Sequence, residues 1–137
     1  MSSPHVADYR ATMFTLLKVG GVVIVLIGTS HAVLGLGADR MLDPSVPDAA
    51  VRHASLDSQN RFYGTAFAVF GVLLWICATD LDRYGPVFVA LLIVFFLGGV
   101  ARLVSVALRG VPSVMIRVLT GLELAIPPLL LWWKATR

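Results

Sequence analysis

Residues 114–133 read VMIRVLTGLELAIPPLLLWW. At about 1.5 Å per residue, a helix of this length crosses the roughly 30 Å hydrocarbon core of a bilayer. Inside the run lies Glu123, the only glutamate in the chain. A carboxylate at that depth is costly and calls for a partner, a proton or a function. Pro127 and Pro128 follow. Each proline removes the donor to the carbonyl four residues back, which leaves those of Glu123 and Leu124 without their usual N–H. An acid beside unpaired backbone oxygens marks a candidate site.

Three more runs of the same kind precede it, at residues 13–36, 62–78 and 86–108. Lipid cannot satisfy an exposed backbone, so segments of this length must be helical, and the alternating pattern of a membrane barrel is absent. The expected fold is all-α: an integral membrane four-helix bundle, one domain over residues 1–137, with both termini on one side. Composition agrees. The chain is 58% hydrophobic and 14% charged, against about 25% charged for a soluble domain. The first run is too long for the h-region of a signal peptide, and no A-x-A pattern follows it, so it reads as a retained span.

The formal net charge of +3 is read as topology, not as a nucleic-acid footprint, because no aromatic-basic motif or basic helical arm accompanies it. No nucleic-acid partner is expected. Cys77 is the only cysteine, which excludes an intrachain disulfide and a Cys-rich metal site. His31 is the only histidine in a span, so it reads as a hydrogen-bonded packing residue; no metal and no cofactor are expected.

Residues 79–85 and 109–113 are tight connections with Asp80, Asp82, Gly110 and Pro112 as breakers, so the spans they join are antiparallel neighbours. Residues 38–60 form a long polar loop with Pro44 and Pro47, expected to hold one short helix near residues 48–54. Ser55 or Asp57 is the natural N-cap of the second span. Basic residues on the terminal side are Arg10, Lys18, Arg83, Lys134 and Arg137, against Arg40, Arg52 and Arg109 opposite, once Arg61, Arg102 and Arg117 are set aside as structural. The positive-inside rule then places both termini in the cytoplasm. Trp75, Tyr84, Trp132 and Trp133 form an interfacial belt on the terminal side.

The polar residues inside the spans share one depth. Helical rise puts His31 and Arg102 about 9 Å, and Glu123 about 13 Å, from the face that carries the long loop. An arginine stem reaches across that difference, so Arg102 and Glu123 are the expected ion pair. Small and polar residues recur at helical spacing: Gly28, His31 and Gly35; Arg61, Gly64, Ala68 and Gly71; Gly98, Arg102, Ser105 and Arg109; Thr120, Glu123 and Pro127. Such stripes let helices approach closely in lipid and point to a shared interior. Arg61, at the start of its span, is at the wrong end of the helix dipole for a cation and needs an anion, with Asp57 one turn earlier. The candidate binding cluster is Arg61, Arg102, Glu123 and His31, with Ser105, Asn60, Asp57 and Arg117. Its excess of arginine suits the phosphate of an anionic phospholipid, bound bidentately.

Three stretches carry a resemblance: LDSQNRFYG at residues 56–64, FFLGGVARLVSVALRGVP at residues 95–112, and LELAIPP at residues 122–128. They resemble a family of small bacterial four-span membrane proteins catalogued as a domain of unknown function, number 4345. Arg61 with Gly64, then Gly99, Arg102, Ser105, Gly110, Pro112 and Glu123, fit its pattern, and the resemblance runs from about Gly28 to Trp133. It implies a multi-pass protein of the bacterial cytoplasmic membrane and implies no activity.

The first functional expectation is therefore a non-enzymatic bundle that binds an anionic lipid or a partner subunit, including a second copy. A small proton-coupled or lipid transporter is the alternative, from the buried acid and the proline-broken helix. A lipid-modifying membrane enzyme comes third. No nucleophile motif, metal motif or paired carboxylates support it, and no catalytic residue is assigned.

Overall fold

A computed structural model describes residues 4–136, with side chains from residue 11 onward. Among the described residues every regular element is helical: α1 (Pro4–Leu34), α2 (Leu36–Leu42), α3 (Asp48–Val51), α4 (Ala54–Cys77), α5 (Gly85–Arg109) and α6 (Val114–Ala135). Four of them, α1, α4, α5 and α6, are long and apolar enough to cross a membrane. The chain is an all-α integral membrane protein. Two basic residues in the orientation count, Arg10 and Arg137, lie outside the described side chains.

The chain divides into two compact units, one ending at Tyr84 and the other beginning at Gly85. In the first, α1 and α4 run antiparallel along a seam of glycines. Gly28 faces Gly64, and seven residues away Gly21 faces Gly71. A methyl group on Gly64 would stand 2.5 Å from the Ala32 nitrogen and 2.7 Å from the Gly28 oxygen; on Gly71 it would stand 2.6 Å from the Gly21 oxygen. These neighbours are backbone atoms and cannot swing aside. Lipid offers no hydrophobic drive between apolar helices, so close approach of this kind supplies their attraction. At the terminal end Lys18 lies over the Trp75 ring, 5.9 Å from its centre.

α1 stops at Gly35, which has φ +57 and ψ −141, a conformation that glycine adopts without strain. Its N–H still donates to the His31 carbonyl at 2.8 Å, closing the last turn. The chain then turns into α2.

Here the expected polar loop at 38–60 needs correction. α2 begins before Ala38, α3 occupies only Asp48–Val51, and α4 begins at Ala54, eight residues earlier than the expected start at 62. Ser55 and Asp57 are not the N-cap. That position is His53, which makes no side-chain cap bond. The carboxylate of Asp57 is directed instead at α2 and at Arg61.

In the second unit, α5 and α6 form the expected hairpin. Gly110, with φ +96, ends α5, and its N–H donates to the Val106 carbonyl at 2.9 Å. Ser113 takes the N-cap position of α6. α6 runs through Pro127 and Pro128 to Ala135 without interruption. At two glycines of α5 the backbone meets side chains of α6. A methyl group on Gly99 would meet Leu124 at 2.9 Å and the Glu123 Cβ at 3.0 Å. At the terminal end Lys134 Nζ donates to the Gly85 carbonyl at 3.2 Å, tying the tail of α6 to the head of α5.

Candidate functional site

The eight candidate residues fall into two groups, one in each unit. In the first unit the structure brings together His31, Asp57, Asn60 and Arg61, and adds Asp39. Arg61 Nε donates to Asp57 Oδ2 at 2.7 Å, a spacing of one helical turn. Its Nη1 donates to the carbonyls of Val33 at 2.6 Å and Ala32 at 3.2 Å. These carbonyls belong to the last turn of α1, where no following helical N–H reaches them. The other oxygen of Asp57 accepts from the Leu36 N–H at 3.3 Å, at the start of α2.

The joint between α1 and α2 is therefore clamped from α4 in both senses. A guanidinium meets the negative end of α1 and a carboxylate meets the positive end of α2, as the helix dipoles favour. The expectation that Arg61 sits at the unfavourable end of its own helix is corrected: α4 starts two turns earlier, and the end that governs Arg61 is that of α1. The Asp57 carboxylate also occupies the place that a Cβ on Gly35 would need.

Asp39 forms the second half of this group. Its Oδ2 accepts from Asn60 Nδ2 at 2.6 Å, and its Oδ1 lies 3.4 Å from His31 Nε2. His31 Nδ1 lies 2.8 Å from the Ile27 carbonyl, the usual back-bond of a polar residue in an apolar helix. Asn60 Oδ1 is buried and has no partner among the described residues. Flipping the amide does not cure this, because Asp39 needs a donor. In this group two carboxylates, Asp39 and Asp57, stand against the single guanidinium of Arg61, with the His31 ring beside Asp39. Asp39 was missed at the sequence level because it was assigned to a loop. The signal was Gly35, four residues after His31, which lets the chain fold back on the last turn of α1.

In the second unit, Arg102 Nε donates to Glu123 Oε2 at 2.8 Å. This is the pair that the depth arithmetic predicts. Glu123 is 7% exposed, so its carboxylate lies within the hairpin, while the Arg102 side chain stays partly exposed. Gly99, one turn before Arg102, is what lets α6 come close enough. Thr120 is also buried, its hydroxyl donating to the Ile116 carbonyl at 2.8 Å. Ser105 is exposed, and among the described residues it makes no bond to Arg102 or Glu123. Arg117 is exposed too, and among the described residues neither it nor Arg109 forms an ion pair.

Arg117 does line a groove of about 310 Å³ between the two helices, walled by Leu103, Val106, Val111, Pro112 and Leu124. The hydroxyl of Ser113, the N-cap residue nearby, is buried and has no partner among the described residues.

Neither a curated protein nor a solved structure matches this chain. The model of one family does, described as Domain of unknown function (DUF4345), over residues 13–134. The match begins before Gly28, where the resemblance was expected to start, and so takes in nearly all of the membrane-length part of α1. With α4 and α5 whole and nearly all of the other two spans inside that match, the chain belongs to the DUF4345 family.

Proposed function

We propose that this protein is a non-enzymatic membrane protein that binds an anionic phospholipid in the groove between α5 and α6. One observation carries the reading: among the described residues Arg117 is the one charged side chain lining a groove whose walls are otherwise almost wholly apolar. Apolar walls suit an acyl chain, and a guanidinium in the first turn of a spanning helix lies at the level of lipid phosphates. The N-terminus of α6 adds positive potential at the same place. Arg102 does not compete for this role, since Glu123 already neutralises it. That pairing also speaks against Glu123 as a free acid or base, which a transporter or an enzyme would require.

The same reading takes the membrane to be the bacterial cytoplasmic one, with both termini on its cytoplasmic face, on the balance of basic residues.

Native mass spectrometry of the protein extracted in mild detergent tests the lipid assignment. The wild type is expected to retain an anionic phospholipid, and Arg117→Gln to lose most of it while keeping its fold. Equal retention by both, or retention of zwitterionic lipid alone, would overturn the proposal. A homodimer or a protein partner held in place of lipid would overturn it in favour of a subunit role.

A further inference from the structure

α2 has one anchored face and one bare face. On the anchored face Ala38 is 3% exposed, and Asp39 holds Asn60 and faces His31. On the bare face Met41 is 77% exposed and Leu42 51% exposed. Two large apolar side chains left uncovered on a seven-residue helix are a poor fit to water.

The anchoring partners fix the level at which α2 lies. His31 is in the last turn of α1 and Asn60 in the second turn of α4, both within the lengths able to cross a membrane. An element bonded to them runs beside the ends of the spans instead of projecting beyond them. Met41 lies two residues from Asp39, about 3 Å of helical rise. The helices around it carry the same kind of surface: Val33 and Leu34 at the end of α1, and Leu56 and Phe62 at the start of α4, are large, apolar and exposed. Arg40, next to Met41, and Arg52, after α3, both pair with Asp48 and keep part of their side chains exposed.

From this we infer that α2 lies in the boundary between headgroups and acyl chains of the bilayer. Met41 and Leu42 enter the acyl region, and Arg40 and Arg52, with their shared partner Asp48, stay at the level of the headgroups. The division follows the general rule for interfacial helices, in which apolar side chains sink and long basic ones reach outward. The connection between the first two spans is then part of the membrane-contacting surface and not an external loop. This inference is independent of the lipid groove in the second unit.

Site-directed spin labelling tests it, in vesicles of phosphatidylethanolamine and phosphatidylglycerol. The label is placed at Met41→Cys, with Ser45→Cys in the following turn as the reference; Cys77 is buried and stays native. The Met41 label is expected to relax strongly with oxygen and to be shielded from a water-soluble nickel chelate, several-fold more than the Ser45 label. Nickel access equal at both positions would overturn the inference. So would shielding of the Met41 label from both oxygen and nickel, which would mean a protein surface covers it. If Met41→Cys fails to fold, Leu42→Cys gives the same readout.

Discussion

The two helix pairs of this protein are joined by different means. α1 and α4 meet backbone to backbone at Gly21 with Gly71 and at Gly28 with Gly64. α5 and α6 meet through side chains of α6, with Gly85 and Gly99 of α5 and one ion pair, Arg102 with Glu123, at the contact. Both solve the same problem. Apolar helices in lipid gain little from hiding apolar surface, so they need either atomic closeness or a polar bond in a low dielectric. The first pair depends on closeness and, among the described residues, keeps its ion pairs at one end. The second depends on a charge pair placed within the hairpin.

The comparison can be broken most forcefully at the seam. Gly64→Leu must push α1 away from α4 on two backbone contacts, and a loss of about 3 kcal/mol or more is expected. Unfolding in a graded detergent mixture reads it, and wild-type resistance would mean that the seam does not hold the pair.

Next is Arg102→Ala, which leaves a carboxylate alone among apolar side chains. A loss of about 3 kcal/mol is expected. Arg102→Met combined with Glu123→Leu should recover most of that loss, since a matched apolar pair leaves nothing unpaired. If the double variant is as weak as the single one, the ion pair is more than a replaceable tie.

A smaller effect belongs to the joint. Gly35→Ala forces a side chain into a positive φ and against the Asp57 carboxylate, at about 2 kcal/mol. The same substitution at Gly110, whose methyl group would meet open space, carries the backbone strain alone and should cost less. Equal losses would show that contact with Asp57 adds nothing.

The smallest effect sharpens the contrast by control. Gly98 and Gly121 also have open space around them, so Gly98→Ala and Gly121→Ala should be neutral or stabilise by up to about 1 kcal/mol each. Marked destabilisation by either would reveal a contact surface beyond the hairpin itself.

What could be read from residues alone divides along the same line. The α5–α6 hairpin was legible nearly to the residue, because Gly110, Pro112 and long apolar runs state its limits directly. The Arg102–Glu123 pair followed from depth, since each is costly where it lies and only the other is near. The start of α4 was not legible. Asp57, Ser58, Gln59 and Asn60 read as polar loop by composition, yet they are helical, and the side chains of Asp57 and Asn60 bond to α2. Their polarity is spent on other helices, and a count along one segment cannot see that. Asp39 was hidden for the same reason: its partners are distant in sequence, and only the fold-back at Gly35 brings them together. The groove beside Arg117 depends on the packing of two helices, which residue spacing does not determine.

The clamp on the end of α1 also bears on how the protein is made. Arg61 lies 28 residues beyond Val33, whose carbonyl it holds. While the ribosome is still synthesising the intervening segment, α1 has already been produced but its final turn lacks that donor. The first span is completed only when the second delivers its arginine, so its finished form belongs to the pair. Biogenesis machinery that received α1 alone would hold a helix with an open, hydrogen-bond-hungry end, which favours retaining it until α4 arrives over releasing it into lipid.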